Sequence, residues 1–444
     1  MRLALQEIAA AIGAAPPAND AVATGFSTDT RTLQPGDVFF ALKGPNHDGN
    51  RYVSTAFSKG ALAAVAEMEG VGILTVPDAL SALQKVAAFA RTRWGGVVVG
   101  ITGSAGKTTT KDIVARMLAS ALPTGKTMGN FNNHVGVPLS ILGIPGEARV
   151  AVIEIGMNHA GEIRDLSTIA QQTIALVTNV GYAHVENFPD GIEGIARAKR
   201  ELVEALPAGG LAILNLDDHR VAQFAAAHPG PTLTFGLSEG ADYRATDVRE
   251  AGPGMWFRAC GVEFHSPLAG LHNVRNVLAG LAVAGHFGIE PEALRDVAAA
   301  LAPGKMRGER LVRNGITIYD DCYNANPEAM RAMLDVLRGT PARRHIAVLG
   351  EMLELGRLAE SLHRDVGSYA ARVGIPVLVG IRGAARYAVD AAIAEGVETD
   401  AAYFFDEPEP AGDKLKEIAR EGDAILFKGS RGTQVERALE RFLG

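Results

Sequence analysis

The stretch Val97–Asp112, VVVGITGSAGKTTTKD, constrains this chain more than any other. Four β-formers, Val97, Val98, Val99 and Ile101, run into a glycine-rich turn. Lys107, a threonine triplet and the amphipathic run Ile113–Leu122 follow. The order strand, phosphate loop, helix predicts an α/β sheet with an anion pocket at its edge. Backbone N–H groups of the turn, from Gly103 through Ser104 and Ala105 to Gly106, and the positive end of the helix would hold phosphate oxygens. Gly103 and Gly106 permit close approach of the backbone, Lys107 reaches the β/γ-phosphates, and Thr108 or Thr109 can ligate Mg²⁺. The strict pattern G-x-x-x-x-G-K-[ST] wants glycine where the chain has Ile101; the glycines fall at 100, 103 and 106. A plain Rossmann-like turn with a solvated lysine is the alternative, but the agreement of strand, Gly-Lys-Thr and helix favours nucleotide binding.

A chain of 444 residues predicts two or three domains. Its net charge of −7 supplies no basic footprint, which argues against nucleic acid and an anionic membrane and for a small nucleotide. Only Cys260 and Cys322 are present, at no metal spacing, as in a protein of the reducing cytosol. The start, MRLALQEIAAAIGA, carries Glu7 and reads as a short amphipathic helix rather than a leader. No stretch approaches the roughly 18 apolar residues of a membrane span, so a cytoplasmic protein is expected.

Residues 1–94 read as a small α/β domain, with Val38–Leu42 a strand and polar turns at Ser27–Arg31 and Asn46–Asn50. Arg31 and Lys43 with neighbouring hydroxyls either hold a second anion or decorate ordinary turns. Arg91–Gly96 reads as a linker. Residues 95–302 form a middle domain in which the apolar runs Val150–Ile155, Ile174–Val177 and Leu211–Leu214 alternate with helical patterns. That alternation predicts a mostly parallel sheet with its ligands beyond the strands' carboxyl ends. Polar residues stand at those ends: Asn130, Asn132 and Asn133 in TMGNFNN, Glu154 after VAVI, and His184 in GYAHVEN. A carboxylate such as Glu154 beside a phosphate loop suits Mg²⁺. Less regular, strand-like segments (Thr232–Phe235, Met255–Phe264) precede a long helix from near His272, whose Asn273 and Asn276 either present amides to an adenine edge or cap the helix. Residues 303–444 restart the alternation, Rossmann-like but without G-x-G-x-x-G.

Lys199 falls in the middle of an apolar helical stripe of Ile192, Ile195, Ala196, Leu202, Val203 and Leu206. It must snorkel, pair with Glu201 or another acid, or lose its charge. In the last case the neutral amine can take up CO₂ as a carbamate, a negative group suited to a second Mg²⁺. Spacing alone leaves these open.

The motifs SxDTR…DVFFALKGPNHDG, GITGSAGKTTTKD, TMGNFNNHVGVPL, EIGMNHAGEI, NVGYAHVENF…IARAKRE, LHNVRN, MRGE, YDDCYNANPEAM, GEMLELG and LFKGSRG span the whole chain. Together they resemble the Mur ligases of peptidoglycan synthesis, whose version of the phosphate loop also explains Ile101. The TxGNxNN and DxYNANP stretches are most similar to the branch that adds D-alanyl-D-alanine to UDP-N-acetylmuramoyl-tripeptide; the D-N-P-R motif of the branch adding the third residue is absent.

The resemblance implies three domains, 1–94 for the UDP-substrate, 95–302 for ATP and 303–444 for ligation, in a monomer that phosphorylates a carboxylate with ATP. It implies Lys107 and Thr108 on ATP and Mg²⁺, Glu154 and His184 on metal, and Lys199 as the carbamylated residue. Asn130 falls near the phosphates, Asn273 and Asn276 on adenine, and Arg307 and Asp321 reach ATP from the C-terminal domain. Substrate contacts are implied at Ser27, Asp29, Thr30, Arg31, Lys43, Asp48, Asn132, Asn133, Tyr323, Asn324 and Asn326. Cys322 stands where the family usually has serine, and Glu351 where it has aspartate. Another amino-acid ligase and a nucleotide-gated switch protein are the competing readings.

Overall fold

The computed structural model describes residues 1–17 and 20–444. The apolar runs form strands and the amphipathic stretches cover them, giving three α/β units. The middle unit carries seven parallel strands in the order Thr124–Lys126, Val150–Glu154, Val97–Thr102, Ile174–Val177, Leu211–Asn215, Thr232–Gly236 and Tyr243–Arg244. From Val97–Thr102 the chain moves to one edge, then crosses back to Ile174–Val177, so a crevice opens where the order reverses. Glu154 pairs with Ile101 and Val177 with Thr102, so three strands end level beside the phosphate loop.

Side chains alternate between the two faces of this sheet. Val99, Ile101, Val152 and Leu176 pack under the helices Lys107–Ala119 and Leu271–His286. Val98, Ile153 and Val177 share the opposite core with Ile195 and Leu202 of the helix Ile192–Glu204. Both faces are covered, which is why these strands read as unbroken apolar runs.

The N-terminal unit has a four-stranded parallel sheet, Gly25–Ser27, Asp37–Phe40, Ala63–Ala66 and Ile73–Thr75. The expected linker at Arg91–Gly96 is instead the end of the helix Ala79–Trp94. Arg91 is buried and donates to the carbonyls of Ala170 (2.8 Å) and Gln171 (3.0 Å), which fixes this helix to the middle unit. Met255–Phe264 is a hairpin, Gly254–Ala259 and Val262–Ser266, turning at Cys260 and Gly261, both at positive φ. It belongs to a three-stranded antiparallel sheet.

In the C-terminal unit the order is Glu309–Arg313, Ile316–Asp321, Asp423–Lys428, Arg344–Gly350, Val377–Ile381 and Ala402–Phe405. The first strand is an antiparallel edge whose charged residues hide it from a search for apolar runs. Among the described residues no helix is long and apolar enough to cross a membrane.

Candidate active site between the middle and C-terminal units

A cleft of about 730 Å³ lies over the carboxyl ends of the middle sheet, closed from above by loops of the C-terminal unit. The phosphate loop forms its floor. Gly103 has no room for a side chain, since a Cβ there would stand 1.8 Å from the Thr178 hydroxyl. Asn179 shapes the turn: its carbonyl accepts from the Ser104 N–H (3.0 Å) and its side-chain oxygen from the Ala105 N–H (2.8 Å). The helix Lys107–Ala119 begins with no side chain capping it, so its first-turn N–H groups are available to an anion. Lys107 Nζ donates to the Gly103 carbonyl at 2.8 Å. Burial lowers its pKa, with Glu154 opposing and Arg307 adding to the shift.

Glu154 is 1% exposed. Asn132 donates to its Oε1 at 2.7 Å, while Oε2 is buried without a partner. A lone carboxylate oxygen beside a phosphate loop fits a hard cation that completes its shell with phosphate and water. Thr108 and His184 line the same cleft. Among the described residues no three His, Cys, Asp or Glu side chains form a ready-made cage.

Lys199 lies in the helix Ile192–Glu204, 2% exposed, and makes no hydrogen bond or ion pair among the described residues. The pairing with Glu201 does not occur. Glu201 accepts from the N–H groups of Gly161 (2.9 Å) and Arg164 (3.0 Å), so it is committed to the start of another helix. Burial first, and then the nearby charge of Lys107, pull the Lys199 amine well below the usual lysine range.

The cleft brings together Asn130, Asn273, Asn276, Arg307, Asp321 and Tyr323 from both units. The Arg307 guanidinium stacks 3.9 Å from the Tyr323 ring centroid. Asp321 pairs with Lys428 at 2.5 Å across adjacent strands; burial pushes its carboxyl up and Lys428 pulls it back. Asn276 accepts from Thr110 (3.1 Å) and donates to Asn273 (3.1 Å), which in turn donates to the Ala269 carbonyl.

Several expected residues also hold local structure. Asn133 caps the helix Gly136–Leu142 through the N–H of Gly136 (2.9 Å) and does not line the cleft. Asn326, also in the cleft wall, caps Pro327–Gly339 and reaches the Ser104 carbonyl at 3.4 Å, so it steadies the phosphate loop. Asn324 lines the cleft, its carbonyl accepting from Lys428 at 3.0 Å. Ser27, Asp29, Thr30, Arg31, Lys43 and Asp48 stand apart from the cleft. There Arg31 pairs with Asp29 (2.6 Å), Lys43 with Glu67 (2.5 Å), and Thr30 accepts from Lys59.

Sequence reasoning missed Lys111, buried in the loop helix and donating to the Gly129 carbonyl at 2.7 Å. It also missed Arg275, paired with Asp217 at 2.5 Å at the cleft wall. The available signal for Lys199 was its apolar stripe, whereas Lys111 stands among Thr108, Thr109, Thr110 and Asp112 with no apolar pattern to mark it. His272, pushed down to about 4 by burial and by the Lys428 and Arg275 charges, sits in the wall as a neutral ring.

Two family profiles match: Mur ligase middle domain over residues 101–284, and Mur ligase, glutamate ligase domain, over 306–431. The UDP-N-acetylmuramoyl-tripeptide–D-alanyl-D-alanine ligase of Bacillus subtilis is 36% identical, covering 96% of this chain and 94% of its own. MurF of Acinetobacter baumannii superposes with a TM-score of 0.91 at 30% identity, covering 100% of this chain and 99% of its own. MurF ligase of Thermotoga maritima in complex with ADP gives 0.83 at 30% identity, over 94% of this chain and 96% of its own. With the phosphate loop, the buried carboxylate and the overarching C-terminal sheet all in place, the chain belongs to the Mur ligase family.

Proposed function

We propose that this chain is an ATP-dependent peptide ligase that adds D-alanyl-D-alanine to UDP-N-acetylmuramoyl-tripeptide, giving the pentapeptide precursor of peptidoglycan. The terminal carboxylate of the tripeptide takes the γ-phosphoryl group and ADP departs. The dipeptide amine then attacks the acyl carbon, and phosphate leaves as the C–N bond forms. The observation that carries the reading is one cleft in which a phosphate loop and an unpartnered buried carboxylate face the basic residues Arg307 and Lys428 of the C-terminal unit.

Lys107 and the free N–H groups of its helix would hold the β- and γ-phosphates and neutralise charge as it moves. Thr108, Glu154 and His184 would hold Mg²⁺, with a carbamylated Lys199 for a second ion; bound there, Mg²⁺ supplies charge neutralisation on the phosphoryl oxygens. Burial without a partner supports Lys199 as the neutral amine that carbamylation requires. Asn273 and Asn276 would face adenine, and Asn130 the phosphates.

The UDP moiety is assigned to Ser27–Arg31 and Lys43–Asp48, where both ion pairs are at least partly exposed and cost little to open. We take 1–94, 95–302 and 303–444 as the working domains. The enzyme is assigned to the cytoplasm as a monomer, feeding wall synthesis and so cell shape and division.

Arg307 and Asp321 act from the C-terminal unit, so their loss should affect closure and turnover rather than UDP-substrate binding. Asp321→Ala should leave the Kd for the UDP-tripeptide within about twofold while kcat drops by an order of magnitude or more. Loss of UDP-substrate binding with unchanged ATP turnover would place Asp321 elsewhere.

The function is tested by phosphate release with each substrate withheld in turn, using tripeptides ending in meso-diaminopimelate and in lysine. Release should require ATP, tripeptide and dipeptide together. Turnover with a single amino acid in place of the dipeptide would assign another branch, and turnover with ATP alone would favour a nucleotide switch.

A further inference from the structure

Between the sheet strand Ile174–Val177 and the helix Ile192–Glu204 lies the loop 181–187, which carries His184. It belongs to the middle unit, yet two carboxylates of the C-terminal unit grip it. At its start, the Tyr182 N–H donates to both oxygens of Glu328 at 3.3 Å. Gly181 allows that approach, since a Cβ there would lie 2.5 Å from the Glu328 carboxyl. At its far end, Glu354 closes on the loop twice: its carboxylate stands in ion-pair contact with His184 Nδ1, a buried nitrogen with no aligned hydrogen-bond partner among the described residues, and its carbonyl accepts from the Glu186 N–H at 3.2 Å. Gly356 seats against Glu186 so closely that a Cβ would stand 2.8 Å from the Glu186 Cβ.

Glu354 is presented on a braced loop. The Met352 N–H donates to His363 Nε2 at 2.9 Å, the Leu353 N–H to Ser430 Oγ at 2.9 Å, and the Ala384 N–H to the Glu351 carboxylate at 2.9 Å. His363 and Ser430 are themselves buried. His184 and Glu354, the two residues in contact, both hold positive φ (65° and 62°). Side chains other than glycine adopt that conformation where the surroundings impose it, and such positions cluster at functional sites. A carboxylate on one nitrogen of a histidine fixes the tautomer and the ring plane, which leaves the other nitrogen aimed.

We propose that Glu354 is a positioning residue that makes His184 competent only when the C-terminal unit is seated. Seating this unit brings Glu354 onto His184 and Glu328 onto Tyr182, so cleft closure and orientation of the ring are one event. A C-terminal unit swung away would leave the loop 181–187 without either grip. The inference rests on the reading of His184 as a working residue of the cleft.

Hydrogen exchange on the full chain without nucleotide or Mg²⁺ reads the grip directly, independently of which peptide the ligase takes. Glu354→Ala should speed exchange across 181–187 and leave 97–119 as in the parent. In steady state it should lower kcat about ten- to hundredfold while the KM for the UDP-tripeptide stays within about twofold, as for partners that orient a ligating histidine. Glu354→Gln keeps an oxygen for the ring N–H and should restore both the protection and part of kcat. If Glu354→Ala fails to melt cooperatively, Glu354→Asp, one methylene short of the ring, takes its place with the same expectation. Exchange at 181–187 equal to the parent, or a loss that appears only in KM and that Gln does not rescue, would overturn the proposal. Faster exchange with normal turnover would overturn the link to His184 while leaving the assigned ligase activity intact.

Discussion

Lys107→Ala is expected to lower turnover by about 10²–10³, about 3–4 kcal/mol of barrier, in a protein that still folds. The fold should survive because the ammonium has one protein partner, the Gly103 carbonyl, and is costly to bury. The phosphate loop keeps its shape without it, through the bonds from Asn179 and the Thr178 hydroxyl. What would be lost is the cation assigned to the transferring phosphoryl group. Steady-state ADP release, with thermal melting as the control, checks it. Near-parental turnover in a cooperatively melting variant removes Lys107 from the site.

Lys199→Ala is expected to be almost inactive, and a short-chain carboxylate such as acetate or formate should restore part of the activity. Burial and the charge of Lys107 both disfavour the Lys199 ammonium, which favours the neutral amine that reacts with CO₂. Carbamylation reverses the sign of the group. A repulsion with Lys107 would become an attraction, and an unpartnered buried amine would become an anion suited to a second Mg²⁺. The carboxylate that could have made Lys199 a plain salt bridge, Glu201, is committed to the N–H groups of Gly161 and Arg164. An exogenous carboxylate would fill the vacated space with the same charge. Electron density for the parent with Mg²⁺ and nucleotide bound gives a second reading: a branched carbamate end supports the account, and an ordered bare amine contradicts it.

Much of the fold was legible because parallel strands covered on both faces leave continuous apolar runs, as at Val150–Glu154 and Ile174–Val177. The rule that ligands gather at the carboxyl ends of such strands pointed to Glu154 and His184, and both line the cleft. Three kinds of feature stayed hidden. The edge strand Glu309–Arg313 is charged, and so resembles a loop. An asparagine caps a helix with the same amide that would meet a ligand, so spacing did not show that Asn133 and Asn326 cap helices. The polar stretches 320–330 and 350–356 were legible as facing the middle unit, but the grip of Glu328 and Glu354 on the loop 181–187 joins residues more than a hundred positions apart, and no local pattern names those partners. Arg91 misled for a related reason: a charged helix end reads as a linker unless its buried carbonyl partners are known.

The central claim is that this cleft activates a carboxylate by phosphorylating it. It is tested most directly with UDP-N-acetylmuramoyl-tripeptide carrying ¹⁸O in its terminal carboxylate, incubated with ATP, Mg²⁺ and D-alanyl-D-alanine. Acyl-phosphate chemistry breaks the bond between acyl carbon and one labelled oxygen, so each phosphate released should carry one ¹⁸O, read by mass spectrometry. Peptide product formed alongside phosphate free of label, with the departing ¹⁸O found in AMP or in water instead, would contradict it.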